Sequence, residues 1–164
     1  MTVEPVRRAP RVTDAVRLRA SRGWPASPWR PEVLLAVAAG GLFGGPARYA
    51  VERLLPAGDG QLPWGTLTVN VVGSAVLGVL LVVLAEVWPL RQHLRPFAAV
   101  GFLGSFTTFS TWMVEVDRLA MQTHVVLAAG YLLGSLVSGL LAAGAGLAVG
   151  RFAVRRLTRR PSSW

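Results

Sequence analysis

GFLGSFTTFSTW, residues 101–112, lies inside an apolar segment that is long enough to cross a membrane. Its twelve residues include two glycines, five hydroxyl side chains and four aromatic rings. Hydrocarbon disfavours unpaired hydroxyls and irregular backbone, and glycine and threonine are weak helix formers. We therefore expect the helix to break near Gly104–Thr107. Backbone carbonyls freed by such a break can coordinate a cation where protein surrounds them.

On both sides of this stretch the chain contains long apolar segments, each exceeding the roughly 20 residues that a helix needs to cross a bilayer. The four segments cover residues 33–55, 64–88, 94–121 and 124–150. Short connections predict antiparallel neighbours. The sequence thus predicts an all-α integral membrane protein with four transmembrane helices, the third broken in mid-membrane. The predicted parts are a disordered Arg/Pro-rich tail (1–31), the transmembrane domain (32–150) and a basic C-terminal tail (151–164).

Composition narrows the possible chemistry. The chain has no cysteine, which excludes disulfides, thiolate metal sites and thiol catalysis. A net charge of +9 is compatible with nucleic-acid binding. However, fourteen of the 17 arginines lie in the two tails and in the link between the second and third segments. With four spans these regions share one side, so the positive-inside rule predicts a multi-pass inner-membrane protein with both termini in the cytoplasm and no nucleic-acid partner.

Polar side chains within the spans are candidate functional residues, because they are costly in hydrocarbon. In the second segment, Asn70 shares a helix face with Thr66 and Ser74. In the fourth, Tyr131 and Ser135 lie one turn apart. Each set has two interpretations. It either joins helices through hydrogen bonds, or it lines a polar pathway.

Two further features concern charge. Pro46 should kink or interrupt the first helix, and Arg48 follows it, either reaching the interface or presenting its charge to a vestibule, which we favour. Glu115 lies past the middle of the third segment, and no acidic residue lies deep in the other three. Neutral donors, an arginine and aromatic rings such as Phe109 suit an anion, because ring edges carry positive partial charge. Weak contacts at several sites are what conduction requires.

Three stretches carry a family resemblance. GGLFGGPARY (40–49), WGTLTVNVVGS (64–74) and GFLGSFTTFSTW (101–112) resemble, in order, the signature stretches of the bacterial fluoride channel family, called Fluc or CrcB. The resemblance covers about residues 33–150. It implies an antiparallel dimer of four-helix subunits with two fluoride pores and a structural Na+ at the interface. The implied function is a passive fluoride-specific channel, not an enzyme, that lets cytoplasmic fluoride leave the cell and so lowers its toxicity.

The resemblance also implies roles for particular residues. The fluoride pathway would contain Arg48, Thr68, Asn70, Phe109, Ser110, Thr111, Trp112, Tyr131 and Ser135. The backbone carbonyls of Gly104 and Thr107 would hold the Na+. Glu115 matches an acidic position of less certain role, and helical spacing places Thr68 opposite Asn70. Trp112 stands where the family has phenylalanine, and its larger indole either lines the path with its edge and N–H donor or alters one pore.

The charge bias bears on the partner subunit. An antiparallel homodimer needs one chain that inserts both ways, whereas fourteen arginines on one side against two on the other predict a single orientation. A heterodimer with a chain of opposite bias is therefore favoured over a homodimer.

Two alternatives to a channel stay open. One is a non-transporting membrane interaction protein whose basic tails bind lipid or nucleic acid. The other is a small cation exporter, which the absence of a deep carboxylate in the first span disfavours.

Overall fold

Helices account for all the regular secondary structure in the computed structural model, which describes residues 30–86 and 93–158. They are α1 (Pro31–Leu54), α2 (Trp64–Glu86), α3 (Pro96–Leu103), α4 (Gly104–Phe106), α5 (Ser110–Met121) and α6 (Val125–Thr158). Within the described ranges, α1, α2, the run from α3 to α5 and α6 are each long and apolar enough to cross a membrane. For the described residues, the prediction of an all-α chain with four helices that can span a membrane is confirmed.

Some predictions fall on residues outside the described ranges. These residues are 1–29 of the predicted N-terminal tail, Arg91 in the link after α2, and the last six residues of the predicted C-terminal tail, 159–164. The part of that tail which is described is helical, because α6 continues past Gly150 to Thr158. Arginine, alanine and leucine are good helix formers, and the next proline is Pro161.

Pro46 does not interrupt the first helix. It lies inside α1, which runs from Pro31 to Leu54 as one element. A proline removes one N–H donor and crowds the carbonyl of the preceding turn. Membrane helices tolerate this change because the freed backbone groups find other partners. Arg48 and Glu52 consequently lie one turn apart on the same helix.

Glycines bring the spans into close contact. α1 lies along α3, and α2 lies along α6. A Cβ atom at Gly40 would overlap the backbone oxygen of Phe97, and one at Gly146 would overlap that of Ala75. Such close backbone approach gains van der Waals packing, which drives helix association in lipid where the hydrophobic effect does not.

The third span changes its hydrogen bonding along its length. α3 is a π-helix, in which each N–H bonds to the carbonyl five residues earlier. α4 adds one α-helical turn, and Thr107 then takes an extended conformation with φ −84° and ψ 158°. Gly104 itself stays helical. The helix is therefore interrupted at the threonines, between Phe106 and the start of α5 at Ser110.

A tight turn folds α5 back onto α6. The His124 N–H donates to the Leu119 carbonyl at 3.0 Å, and the Thr123 N–H donates to the Ala120 carbonyl at 3.1 Å. This is the hydrogen-bond pattern of a Schellman C-cap. Thr123 takes the left-handed conformation, φ 67°, that the pattern requires. The turn packs α5 against the first half of α6 and buries Tyr131 between them.

Candidate functional site

Asn70 on α2 holds the interrupted backbone of the third span. Its Nδ2 donates to the Thr108 carbonyl at 2.9 Å, and its Oδ1 accepts from the Thr108 N–H at 2.9 Å. One side chain therefore satisfies both backbone polar groups of a residue that has left the helix. This matters in a membrane span, where water does not supply the missing bonds.

A glycine on the same face of α2 permits this contact. Gly73 lies three residues after Asn70, so the two positions face the same neighbour. A Cβ atom at Gly73 would overlap Cγ2 of Thr107. The Thr107 hydroxyl donates back to the Leu103 carbonyl at 2.9 Å. The interrupted segment is thus held from α2 on one side and from its own preceding helix on the other.

The Thr108 hydroxyl organises the start of α5. The Thr111 N–H donates to Thr108 Oγ1 at 3.2 Å, which satisfies one of the N–H groups that a helix start leaves unpaired. Thr108 Oγ1 also donates to Thr111 Oγ1 at 3.1 Å and lies 3.4 Å from Ser110 Oγ. Three hydroxyl groups therefore meet where the helix resumes.

An exposed aromatic ring stands beside this hydroxyl cluster. Phe109 is 71% exposed, although Thr108 before it is buried. Its ring meets that of Trp112 edge to face, with centroids 5.5 Å apart and planes at 77°. This is a favoured arrangement of two aromatic rings. It fixes the angle of the Phe109 ring while most of that ring remains accessible.

These side chains border a cavity of about 410 Å³ between α2, the third span and α6, which we call the cleft. Its polar and aromatic lining consists of Asn70, Ser74, Thr107, Thr108, Phe109, Trp112 and Ser135, and Gly104 also borders it. The remaining lining is aliphatic or glycine. The cleft therefore combines an apolar wall with a few polar groups at the helix interruption.

A second, smaller cavity lies between the 55–63 link and α5, and we call it the loop-side cavity. Its volume is about 190 Å³, and its polar lining includes Glu52, Gln61, Thr66, Thr111, Glu115, Arg118 and Gln122. Thr66 Oγ1 donates to Glu115 Oε1 at 2.7 Å, and the Tyr131 hydroxyl donates to Glu115 Oε2 at 2.7 Å. Both oxygens of this carboxylate are therefore held.

Hydroxyl groups link the two cavities. Thr108 borders the cleft, Thr111 borders the loop-side cavity, and their hydroxyl oxygens are 3.1 Å apart. Glu115 lies one turn beyond Thr111 on α5, so these two side chains share a helix face. The polar groups therefore form a continuous row from Asn70 through the interruption to Glu115.

Most of the residues assigned by the resemblance lie along this row. Four border the cleft, namely Asn70, Phe109, Trp112 and Ser135. Thr111 borders the loop-side cavity, Ser110 contacts Thr108, and Tyr131 contacts Glu115. Gly104 and Thr107, the residues assigned to Na+, also border the cleft.

Two assigned residues lie elsewhere. Thr68 is half-buried on α2 and borders neither of the two cavities. Its place agrees with the helical spacing, which puts it on the opposite side of α2 from Asn70. Arg48 also borders neither cavity, and its Nε lies 3.8 Å from Oε1 of Glu52. Arg48 is thus connected to the loop-side cavity through Glu52.

Sequence reasoning gave no role to Thr108, which makes more contacts in the site than its neighbours do. Threonine hydroxyls commonly bond to backbone N–H groups a few residues away near helix starts, so the sequence does carry a weak signal for the bond between Thr108 and Thr111. The sequence shows Thr66 only as a member of the polar face of the second segment. Its bond to Glu115 joins two helices 49 residues apart in the chain, which spacing within one helix cannot reveal.

Comparison with known proteins identifies the family. The family model described as CrcB-like protein, Camphor Resistance (CrcB), matches residues 35–147. This chain belongs to the CrcB family. The match confirms the resemblance and covers most of α1, all of α2 to α5 and the first two thirds of α6, including every residue of the cleft and the loop-side cavity.

Several proteins that are similar to this chain carry descriptive names. Fluoride-specific ion channel FluC 3 of Streptomyces avermitilis is 54% identical over 130 residues, which cover 79% of this chain and 64% of that protein. Fluoride-specific ion channel FluC 2 of Nocardia farcinica is 44% identical, with 80% and 91% covered. Fluoride-specific ion channel FluC of Rhodospirillum centenum is 43% identical, with 75% and 98% covered. This chain thus spans just under two thirds of the first relative and almost all of the third.

Proposed function

We propose that this protein is a fluoride channel of the cell membrane that lets cytoplasmic fluoride leave the cell, and that it acts by conduction and not by catalysis. The names of its relatives support this proposal. The structural observation that carries it is the exposed Phe109 ring, which packs edge to face on Trp112 and borders a cleft with hydroxyl and amide groups.

The chemistry of the cleft favours a small anion. Its described lining includes no acidic side chain, so its side chains offer no negative charge to a mobile cation. An anion would meet ring edges with positive partial charge and O–H or N–H donors. Each contact is weak by comparison with a fixed positive charge, and several weak sites in sequence allow an ion to leave as readily as it enters.

The pathway follows the row of polar groups. Fluoride would pass from the cleft, past Phe109 and the Thr108–Thr111 hydroxyl pair, to the loop-side cavity. The helix interruption, which we place in mid-membrane, is what brings these hydroxyl groups together. Asn70 would serve the pathway by holding the Thr108 backbone, and its second amide N–H could face the anion.

The functional unit would be an antiparallel dimer with a second four-helix subunit. Its partner would cover the apolar side chains that border the cleft and are exposed in a single chain, among them Leu136 and Leu140. The arginine bias favours a heterodimer in which this chain has both termini in the cytoplasm. The partner would then be a related chain of opposite bias.

A structural Na+ would lie at the dimer interface. The donors fit this ion, because unwound carbonyls and helix C-terminal ends bind Na+ in membrane proteins. Thr107, with ψ 158°, directs its carbonyl away from the helical ladder, and Gly104 is exposed at the cleft. A twofold-related subunit would add an equivalent pair of carbonyls. The ion would supply positive charge that holds the two interrupted spans together.

The Na+ proposal predicts an ion-specific stability. The purified dimer should unfold at a higher temperature in sodium chloride than in potassium or choline chloride of the same concentration, because only the folded dimer presents the carbonyl cage. Thermal unfolding of the dimer in each salt measures this difference. Identical unfolding temperatures in all three salts would contradict a specific Na+ site.

The channel itself is tested by Phe109→Ile. Isoleucine keeps the bulk but removes the ring edge, so fluoride efflux from proteoliposomes that contain the assembled dimer should fall to background. Folding should be kept, because the Phe109 side chain is largely exposed. Phe43→Ile is the matched control, since Phe43 is 60% exposed on α1 and borders neither cavity. Wild-type efflux from the Phe109 variant would refute the assignment of the pathway.

A further inference from the structure

The 55–63 link forms one wall of the loop-side cavity. Ala57, Gly58, Gly60 and Gln61 line the cavity from the link, and α1, α2 and α5 contribute side chains to the rest of its lining. The row of polar groups that starts at the cleft ends in this cavity, at Glu115. An ion that follows the row therefore arrives next to the link.

The two ends of the link are fixed to the body of the protein. The Leu55 N–H donates to the Val51 carbonyl at 3.0 Å and so continues the last turn of α1. At the other end, Pro63 is buried, and Leu62 packs against the buried cluster between α5 and α6. Movement of the link is therefore confined to its centre, residues 56–61.

A small group of contacts, formed by Asp59, Gly60, Arg118 and Gln122, holds this centre, and we call it the latch. An N–H of Arg118 donates to Oδ1 of Asp59. The Gly60 N–H donates to Oε1 of Gln122 at 3.2 Å, and Nε2 of Gln122 donates to the same Asp59 oxygen at 3.5 Å. Within residues 30–86 and 93–158, these are the hydrogen bonds that join the centre of the link to another element.

The link also fits closely against the turn between α5 and α6. Gly60 takes a left-handed conformation, φ 69°, and a Cβ atom there would overlap Nε2 of His124. Only glycine combines this backbone conformation with so close an approach. The closed position of the link is therefore a specific one.

The latch should nevertheless open easily. The side chains of Asp59 and Arg118 are 77% and 63% exposed, and exposed ion pairs contribute little to stability. The centre of the link has its own turn, in which the Gln61 N–H donates to the Gly58 carbonyl at 3.2 Å. It can therefore move as a unit between its fixed ends. Segments with few buried contacts open at a low cost in free energy.

We propose that the 55–63 link is a lid on the loop-side cavity, which the latch keeps closed and which opens to release fluoride. This inference rests on the proposed channel function. In the proposed orientation the link lies on the outer side of the membrane, so the lid controls exit from the cell. Opening also frees the charge of Arg118, which borders the cavity and is paired with Asp59 while the lid is closed. That charge then draws the anion towards water.

A cross-link that ties the lid down tests its role in transport. The chain has no native cysteine, so Asp59→Cys with Gln122→Cys places one thiol on the link and one at the end of α5. In proteoliposomes that contain the assembled dimer, a short, membrane-permeant bifunctional methanethiosulfonate should stop fluoride efflux when both subunits carry the pair. A reducing agent should restore it. Without the reagent, the variant should release fluoride at least as fast as the wild type.

The matched control for the cross-link is Gly58→Cys with Gln61→Cys. These residues also line the cavity, so the reagent adds the same bulk there. It ties together the link's own turn and leaves the latch intact. Efflux should therefore persist after treatment.

Charge reversal tests the latch itself. Thr66 is buried and borders the cavity, so the reaction of Thr66→Cys with an uncharged thiol reagent reports how often the lid is open. Asp59→Arg should speed this reaction about two- to fivefold, the factor expected from losing an exposed ion pair. Adding Arg118→Asp restores opposite charges and should return the rate to its starting value. Arg53→Asp, an exposed charge reversal that borders neither cavity, should leave the rate unchanged.

The outcomes separate the lid from the channel proposal. If the wild type releases fluoride and the latch cross-link leaves efflux unchanged, the lid is refuted and the channel stands. Equal loss of efflux in the Gly58 and Gln61 control, or a reaction rate at Thr66→Cys that does not follow the charge reversals, also refutes the lid. A reaction rate that follows the latch in a protein that releases no fluoride supports a lid on the cavity and refutes the channel.

Discussion

At the scale of single residues, the geometry of the site depends on the side-chain amide of Asn70. Its carbonyl oxygen and one of its N–H groups form hydrogen bonds with the backbone of Thr108. Thr108 in turn uses its hydroxyl to start α5 and to contact Ser110 and Thr111. The position of the hydroxyl cluster therefore follows from Asn70. A residue that looks like an ion ligand in the sequence acts first as a support for the helix interruption.

This role predicts the effect of Asn70→Asp. The variant replaces the N–H that faces the Thr108 carbonyl with a second oxygen, so a donor is lost and two acceptors face each other. Leaving a buried polar group unpaired costs about 1–3 kcal/mol. We expect fluoride efflux to be lost and the peptide covering 101–112 to exchange its amide hydrogens faster, as measured by mass spectrometry.

The control for Asn70→Asp is a second amide-to-carboxylate substitution, at a position where it should not disturb the third span. Gln61 is exposed, and its Oε1 accepts from the Gly58 N–H at 3.3 Å. Gln61→Glu keeps that acceptor in water, so it should leave amide exchange over 101–112 unchanged. Equal exchange in the wild type and the Asn70 variant would show that the amide does not support the interruption.

At the scale of elements, the approach of α2 to the third span sets the site. α2 contacts the interruption along one face, with Asn70 bonded to Thr108 and Gly73 against Thr107. One turn earlier on the same helix, the Thr66 hydroxyl donates a hydrogen bond to Glu115. One face of α2 thus serves both the cleft and the loop-side cavity, because residues three and four apart on a helix face the same neighbour.

Gly73→Ala should therefore disturb the third span. The added Cβ would overlap Thr107 Cγ2, and overpacking of this kind typically costs about 1–3 kcal/mol. Gly144→Ala is the matched control on α6, since no atom lies within 4 Å of a Cβ there. An alanine in an open helical position stabilises by about 1 kcal/mol relative to glycine. Thermal unfolding and efflux measure both variants, and equal behaviour would contradict the close approach.

The sequence reveals some of these elements and conceals others. Apolar length and the arginine pattern are enough to place the four spans, because crossing a bilayer requires about 20 apolar residues. The π-helical bonding of α3 leaves no such signal, since it changes the hydrogen-bond partners and not the apolar composition. Helical spacing places Asn70 and Thr66 on one face, but their partners, Thr108 and Glu115, come from a distant part of the chain. Those pairings depend on how α2 packs against the third span.

At the scale of the whole molecule, the proposed channel needs more walls than a single chain supplies. Phe109 and the aliphatic wall of the cleft are exposed in a single chain, and ion conduction requires walls on all sides. A second subunit related by a twofold axis would close the cleft and repeat it. Whether that subunit is a copy of this chain depends on how the chain inserts, which the arginine distribution controls.

The orientation of the chain can be measured directly, because it contains no native cysteine. We expect Ala57→Cys, in the exposed 55–63 link, to react with a membrane-impermeant maleimide in intact cells. Ser163→Cys, near the C-terminus, should react only after lysis, since the fourteen arginines on that side favour a cytoplasmic location. A chain expressed alone should then show little fluoride efflux, and co-expression of a related chain with the opposite arginine bias should restore it. Comparable labelling of both positions in intact cells, together with full efflux from the chain alone, would instead establish a dual-topology homodimer.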